Sequence, residues 1–301
     1  MSGVKRYLVT GLAGQVVQSL LEKASDRKDI DLVALGRPQL DLADPSTIDA
    51  AVRAAQPDLI ISAAAYTAVD QAETDEAAAF TVNGEGPGEL ARVAKALDIP
   101  IIHISTDYVF DGSKASPYNE ADPVAPLGVY GRSKLEGERR VAAETDNHAI
   151  LRTAWVYSPF GKNFLLTMLR LAETRDELGV VADQIGNPTS ALDIADAVLK
   201  VAENLLSSKD ADLRGTFHMT GSGEASWAEF AAEIFRLSAD QNGPSAKVNP
   251  IPASAYPTPA KRPANSRLDC AKLARVHAID IPDWRVSTQL VIDRLRRPAA
   301  V

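Results

Sequence analysis

Short apolar runs alternate with amphipathic stretches through the first half of the chain. Tyr7-Leu8-Val9 leads into a turn at Gly11, and Val16, Leu20 and Leu21 then share one helical face between Gln15 and Glu22. Asp31-Leu32-Val33-Ala34-Leu35 and Leu59-Ile60-Ile61-Ser62 read as second and third strands. Asp44-Pro45 supplies an N-cap and a first-turn proline for a helix through Ala55. Helix formers dominate from Ala72 to Leu97, with a break expected at Gly84-Glu85-Gly86-Pro87. Further strands are predicted over 99–104 and 149–153, and helices at about 131–145 and 161–175. This alternation predicts an α/β fold: a Rossmann-like, doubly wound parallel sheet with helices on both faces.

The second half is less regular. Ile194, Ala195, Val198 and Val201 build an amphipathic helix over 191–206, and Gly215 to Met219 can return a strand to the sheet. Trp227 to Leu237 reads as another helix. Between Gly243 and Pro263 lie six prolines (244, 250, 252, 257, 259 and 263), which predict an extended or looped segment, functional or disordered. Helices near 269–276 and 285–297 finish the chain. The expected plan is a sheet domain over 1–153, with a return at about 190–219, and a smaller interleaved α/β domain over 154–189 and 220–301.

A length of 301 residues agrees with about two domains. Lys+Arg is 32 against Asp+Glu 40, so the net charge is -8, which argues against nucleic acid or an anionic membrane as partner. Cys270 is the single cysteine, so no intrachain disulfide forms and a reducing compartment fits. The apolar stretch from Leu59 to Val69 is too short to span a bilayer, and Lys5-Arg6 before Leu8-Val9 does not read as a signal peptide because Gly11 and Gly14 interrupt it. A soluble, cytoplasmic protein is expected. His103, His148, His218 and His277 form no ligand-spaced pair, so no metal is expected, and His103 reads as a packed core histidine.

Gly11-Leu12-Ala13-Gly14-Gln15-Val16-Val17 joins the first strand to the first helix. Such a turn brings backbone N–H groups and a helix N-terminus to a pyrophosphate, although Val17 stands where the third glycine of the dinucleotide fingerprint would fall. Gly11 and Gly14 are therefore candidate cofactor contacts. After the second strand comes Arg37 rather than a carboxylate, which suits a 2′-phosphate and predicts NADPH in preference to NADH, with NADH still possible. Arg37 reads equally as a solvated loop charge. Asp41-Leu42 can cover an adenine or simply form a turn. Ala63, Ala64 and Ala65 leave room for a cofactor or for tight packing.

Three further pieces follow in order. Thr106 ends the fourth strand in His103-Ile104-Ser105-Thr106-Asp107-Tyr108-Val109-Phe110. Tyr130 and Lys134, four apart in Val129-Tyr130-Gly131-Arg132-Ser133-Lys134, share a helix face. Leu151-Arg152-Thr153-Ala154-Trp155-Val156-Tyr157 ends the fifth strand beside them. Hydride reduction of a ketone needs a proton donor to the developing alkoxide. A tyrosine near its ordinary pKa of about 10 gains acidity from a neighbouring ammonium, which Lys134 is expected to supply, while Thr106 adds a hydrogen bond to the same oxygen.

Together with the glycine turn, these motifs resemble the extended short-chain dehydrogenases/reductases. Asp183-Gln184-Ile185-Gly186-Asn187-Pro188-Thr189 and the run from Ser254 to Leu268, which carries Tyr256-Pro257-Thr258-Pro259-Ala260-Lys261-Arg262-Pro263, narrow the resemblance to the dTDP-4-dehydrorhamnose reductase family over nearly the whole chain. The resemblance implies Tyr130 as proton donor, Lys134 as its partner and Thr106 as third catalytic member. It adds Gln15, Val16, Tyr66 and Thr67 to the cofactor contacts, with Asp41, Leu42 and Ala65, alongside Tyr130 and Lys134. It places Thr106, Asp107, Tyr130 and Trp155 on the sugar nucleotide, and makes Asn163, Gln184, Arg262 and Arg267 candidates to hold its diphosphate or thymine. Taken as exposed loop chemistry, those last four need no ligand.

The implied reaction is reduction of the 4-keto group of dTDP-4-dehydro-beta-L-rhamnose to dTDP-beta-L-rhamnose, the last step towards the activated rhamnose of bacterial surface polysaccharides. The smaller domain would then bind the sugar nucleotide. Some members resemble dimers bridged by a divalent ion through carboxylates. Ser19, Leu192 and Arg294 stand at the corresponding positions, so a monomer is favoured, with a homodimer open. Two alternatives remain. A sugar-nucleotide epimerase or dehydratase shares the superfamily, but Asp107-Tyr108 follows Thr106 where dehydratases carry Asp-Glu. A non-catalytic relative resembles the regulatory subunit of methionine adenosyltransferase.

Overall fold

The computed structural model describes residues 3–296. The chain runs β1 (Lys5–Thr10), α1 (Gln15–Ser25), β2 (Ile30–Leu35), α2 (Ile48–Ala55), β3 (Leu59–Ser62), α3 (Val69–Ala72), α4 (Glu76–Phe80), α5 (Gly86–Ala96), β4 (Ile101–Thr106), α6 (Val129–Glu144) and β5 (His148–Thr153). It continues with β6 (Val156–Tyr157), α7 (Phe164–Ala172), β7 (Glu177–Val181), β8 (Ile185–Gly186), β9 (Thr189–Ser190), α8 (Ala191–Ser207), β10 (Gly215–His218), β11 (Ala225–Ser226), α9 (Trp227–Ala239), β12 (Lys247–Ile251), α10 (Ala271–His277) and α11 (Trp284–Arg296). The expected helix end at 297 and the segments 1–2 and 297–301 lie outside the described residues. Among the described residues, no helix is long and apolar enough to cross a membrane.

Six parallel strands form the central sheet in the order β10-β5-β4-β3-β1-β2. Both faces are covered, as near-continuous apolar strands require. Tyr7, Val9, Leu59 and Ile61 pack into one core with Leu20 of α1 and Ile194 and Val198 of α8. Leu8 and Ile60 point the other way, towards Ile48 and Val52 of α2 and Leu90 of α5. This is the doubly wound, Rossmann-like sheet that the sequence predicts. The order reverses between β1 and β3, and such a reversal opens a crevice at the carboxyl ends of the strands.

A second apolar core lies apart from the sheet, around Leu165 and Met168 of α7, Phe230 and Ile234 of α9, and Trp284 and Val291 of α11. The proline-rich segment is not wholly a loop. Residues 247–251 form β12 and pair in parallel with β7, Pro250 lying opposite Val180. These strands form a separate two-stranded sheet, so the missing N–H of Pro250 is tolerated at an edge. The break expected near Gly84 is instead a π-helical turn, Thr81–Glu85, that carries the chain from α4 into α5 without interruption.

Candidate active site

A cleft of about 1280 Å³ opens along the carboxyl ends of the sheet strands. At its β1 side, Gly11 has φ +101° and Gly14 begins α1 with no side-chain cap on the helix amides. The Thr10 hydroxyl accepts from the amides of Ala63 and Ala64, both at 3.0 Å, tying the turn after β3 to β1. Gln15 reaches across to the second core: its Oε1 accepts from Ser158 Oγ at 2.8 Å and Asn163 Nδ2 at 3.0 Å. An uncapped helix start, small residues and no carboxylate in its first turn fit a dinucleotide pyrophosphate. Arg37 is exposed on the same cleft, directly after the buried Gly36.

Deeper in the cleft, Thr106 ends β4. Its hydroxyl donates to Asp107 Oδ1 at 3.0 Å, accepts from the Tyr108 amide at 3.2 Å and neighbours the Tyr130 phenol. Gly131 makes that approach possible. A Cβ there would collide with the Tyr108 carbonyl oxygen, so only glycine lets α6 lie this close to the turn after β4. Tyr108 packs edge-on against Tyr130, with ring centroids 5.6 Å apart. Burial pushes the Asp107 carboxyl up to about 6, opposed by the hydroxyls of Ser266 and Thr106.

Lys134 is only 3% exposed, and its Nζ donates to the Ile104 carbonyl at 2.7 Å. Burial brings its ammonium down to about 8, opposed by Glu138 one turn along α6. Here an expectation needs correction. Burial dominates at Tyr130 and pushes the phenol up to about 12, with Thr106 opposing and Asp107 adding to the rise. Burial, not the Lys134 ammonium, therefore sets the Tyr130 phenol in this arrangement.

Trp155 has φ +48°, a conformation in which a bulky side chain is strained, and strain of this kind gathers at functional clefts. Its Nε1 donates to Ser266 Oγ at 3.2 Å, and its ring stacks on Trp227 with centroids 3.5 Å apart and planes 4° from parallel. Phe164 tilts against the same Trp227 ring.

The cleft brings together Gly11, Gly14, Gln15, Val16, Arg37, Asp41, Leu42, Ala63, Ala64, Ala65, Tyr66 and Thr67 with Thr106, Asp107, Tyr130, Lys134, Trp155 and Asn163. Three sequence candidates lie outside its walls. Gln184 stands half-buried just before β8. Arg262 pairs with Asp70 at 2.9 Å and neighbours the phenol of Tyr108, itself a lining residue. Arg267 is taken up by Glu224 at 2.8 Å, Asn265 Oδ1 at 2.8 Å and the Ala115 carbonyl. Conversely, Tyr108, Lys162, Phe164 and Trp227 line the cleft without having been singled out. Phe164 and Trp227 each follow a capping residue, Asn163 and Ser226, a sequence signal that could have placed them at helix starts.

The RmlD substrate binding domain family model matches residues 5–297. A dTDP-4-dehydrorhamnose reductase of Sinorhizobium fredii is 55% identical over 287 residues, covering 95% of this chain and 96% of the relative. The chain belongs to the dTDP-4-dehydrorhamnose reductase family. Two solved members agree in fold. The reductase of Clostridium acetobutylicum superposes with a TM-score of 0.90 at 38% identity, covering 97% of this chain and 100% of its own. The reductase of Bacillus anthracis, solved in complex with NADP, gives 0.89 at 32% identity, covering 97% and 99%.

Proposed function

We propose that this member of the family reduces the 4-keto group of dTDP-4-dehydro-beta-L-rhamnose to dTDP-beta-L-rhamnose, drawing on NADPH. The Tyr130 phenol beside the Thr106 hydroxyl at the end of β4, with Lys134 buried on the same helix and on the same cleft, carries the reading. Family membership supports the sugar, and the NADP complex of the Bacillus anthracis relative supports the cofactor. The sheet unit, 1–153 with 190–219, takes the dinucleotide, and 154–189 with 220–301 takes the sugar nucleotide. The reduced nicotinamide, once bound, supplies the hydride.

The protein's own part is to bind, orient and protonate. The first turn of α1 and Arg37 hold the cofactor phosphates. Trp155 offers a fixed aromatic face to the sugar nucleotide. Tyr130, with a phenol held at about 12, is fully protonated at neutral pH and is poised to give that proton to the alkoxide that forms at C4. Thr106 donates to the same oxygen when its hydroxyl turns from Asp107. Lys134 keeps a positive charge beside the developing phenolate, and that charge matters most once the proton has left. The enzyme is read as a cytoplasmic monomer serving surface-polysaccharide synthesis.

The test follows loss of reduced-nicotinamide absorbance with NADPH and the keto sugar. Wild-type turnover with a loss of about 10²- to 10⁴-fold in Tyr130→Phe, cofactor binding retained, is the expected result. Cofactor binding without wild-type turnover would sink the reading.

A further inference from the structure

Lys134 has no carboxylate in contact among the described residues. Its ammonium has two acceptors: the Ile104 carbonyl at 2.7 Å and the Nε2 of His103 at 3.4 Å. His103 is fully buried in β4, and its Nδ1 lies 3.1 Å from the Ser62 hydroxyl of β3. An ammonium can only donate. Nε2 must therefore offer its lone pair, which puts the ring proton on Nδ1, where it is donated to Ser62 Oγ. Burial, and then the Lys134 charge, hold this imidazole well below the ordinary histidine range, so it stays neutral wherever the enzyme works. α6 crosses the ring at Gly137, whose missing Cβ would stand 3.3 Å from Nε2 and would collide with the Asn83 carbonyl.

We propose that His103 is a positioning residue for Lys134: its neutral imidazole accepts from the ammonium and fixes it, charged, at the floor of the cleft. The sequence alone made this histidine ordinary core packing. Ser62 orients the ring, and the ring together with the Ile104 carbonyl orients the lysine. The titratable and charged groups around Lys134 are Tyr130 and Glu138 on its own helix, His103 and Asp107 on and just after β4, and His148 and Arg152 on β5. Glu138 is already held by Arg152 and Ser105, so His103 is the side chain in direct contact with the ammonium.

Three substitutions separate the two ring nitrogens. Gln can place a polar atom near the position of Nε2, facing Lys134. Asn places one near Nδ1, facing Ser62. Leu places none. The Lys134 titration is followed by the Cε shift of protein labelled with ¹³C-lysine and assigned with Lys134→Arg. The expected result is a midpoint lowered by about one pH unit, tenfold in proton affinity, in His103→Asn and His103→Leu, with His103→Gln near the wild type. The alkaline limb of kcat/KM should move with it, an arm that rests on the reductase reading. Unmoved midpoints in Asn and Leu, or a Gln variant that falls as far as they do, would overturn the proposal. Should the Leu variant not fold, the Asn-against-Gln contrast decides. Absent wild-type turnover would count against the reductase reading alone, because the titration needs no substrate.

Discussion

Two buried cations lie between α6 and the sheet, and they are treated differently. Arg152 of β5, 5% exposed, is held by both oxygens of Glu138 at 2.9 and 2.7 Å, while Ser105 donates to the same carboxylate. Lys134, 3% exposed, has only a carbonyl and a neutral imidazole. A charge paired with a carboxylate in the interior is neutralised and becomes architecture. A charge left with neutral acceptors keeps its field and titrates at about 8, which suits the role proposed for it beside a Tyr130 phenolate. The Glu138 clamp also ties β4, α6 and β5 together just beneath Thr106, Tyr130 and Trp155, so the paired charge braces the wall that carries the unpaired one.

The comparison breaks most visibly at Glu138. Removing one partner of a buried pair strands the other, so Glu138→Leu should cost about 3–5 kcal/mol in urea unfolding. The double variant Glu138→Leu/Arg152→Met removes both charges and should recover most of that loss. A double variant as unstable as the single would mean that the pair does more than neutralise itself. Lys134→Met should do the opposite. It removes a buried ammonium that lacks a carboxylate, so stability should hold or rise, while kcat/KM falls by about 100-fold or more.

The opposition sharpens with pH. Burial lowers Lys134 from 10.5 to about 8. Between those values the unfolded chain binds this proton and the folded chain has lost it, so the stability contributed by this group rises with pH across the window. Activity runs the other way, since the ammonium is lost as pH passes about 8. The difference in Tm between wild type and Lys134→Met should therefore move in the wild type's favour as pH rises from about 8 to about 10, while wild-type kcat/KM falls. Parallel slopes would show that Lys134 is not the group that titrates.

The same contrast explains what could be read from the sequence. The sheet was legible because β1, β3 and β4 are apolar runs that bury both faces, and Tyr130 and Lys134 were legible because helical spacing puts them on one face. β7 was missed, since Glu177-Leu178-Gly179-Val180-Val181 carries a charge and a glycine and gains its partner only from β12, seventy residues on. The Glu138–Arg152 pair and the His103–Lys134 contact were equally hidden, because each joins a helix to a strand with no local pattern. The Tyr130 phenol was misjudged for a related reason: spacing says that two side chains share a face, but not how deeply the phenol is buried. Arg267, picked for phosphate chemistry, is instead occupied by Glu224 and Asn265.

The smallest expected effect concerns an arginine that has no such partner. Arg262 is paired with Asp70, whereas Arg37 lines the cleft, exposed, with no ion pair among the described residues. A solvated guanidinium contributes at the low end of the range for charged hydrogen bonds, about 1.5 kcal/mol or roughly tenfold. Arg37→Ala should therefore raise KM for NADPH about tenfold and leave KM for NADH in place, because only the phosphorylated cofactor offers a 2′-phosphate to bind. Arg37→Lys keeps the charge but not the bidentate fork and should fall between the two. Equal losses with both cofactors would mean that Arg37 supports the turn after β2 rather than reads the phosphate, and the preference for NADPH would then need another residue of the same cleft.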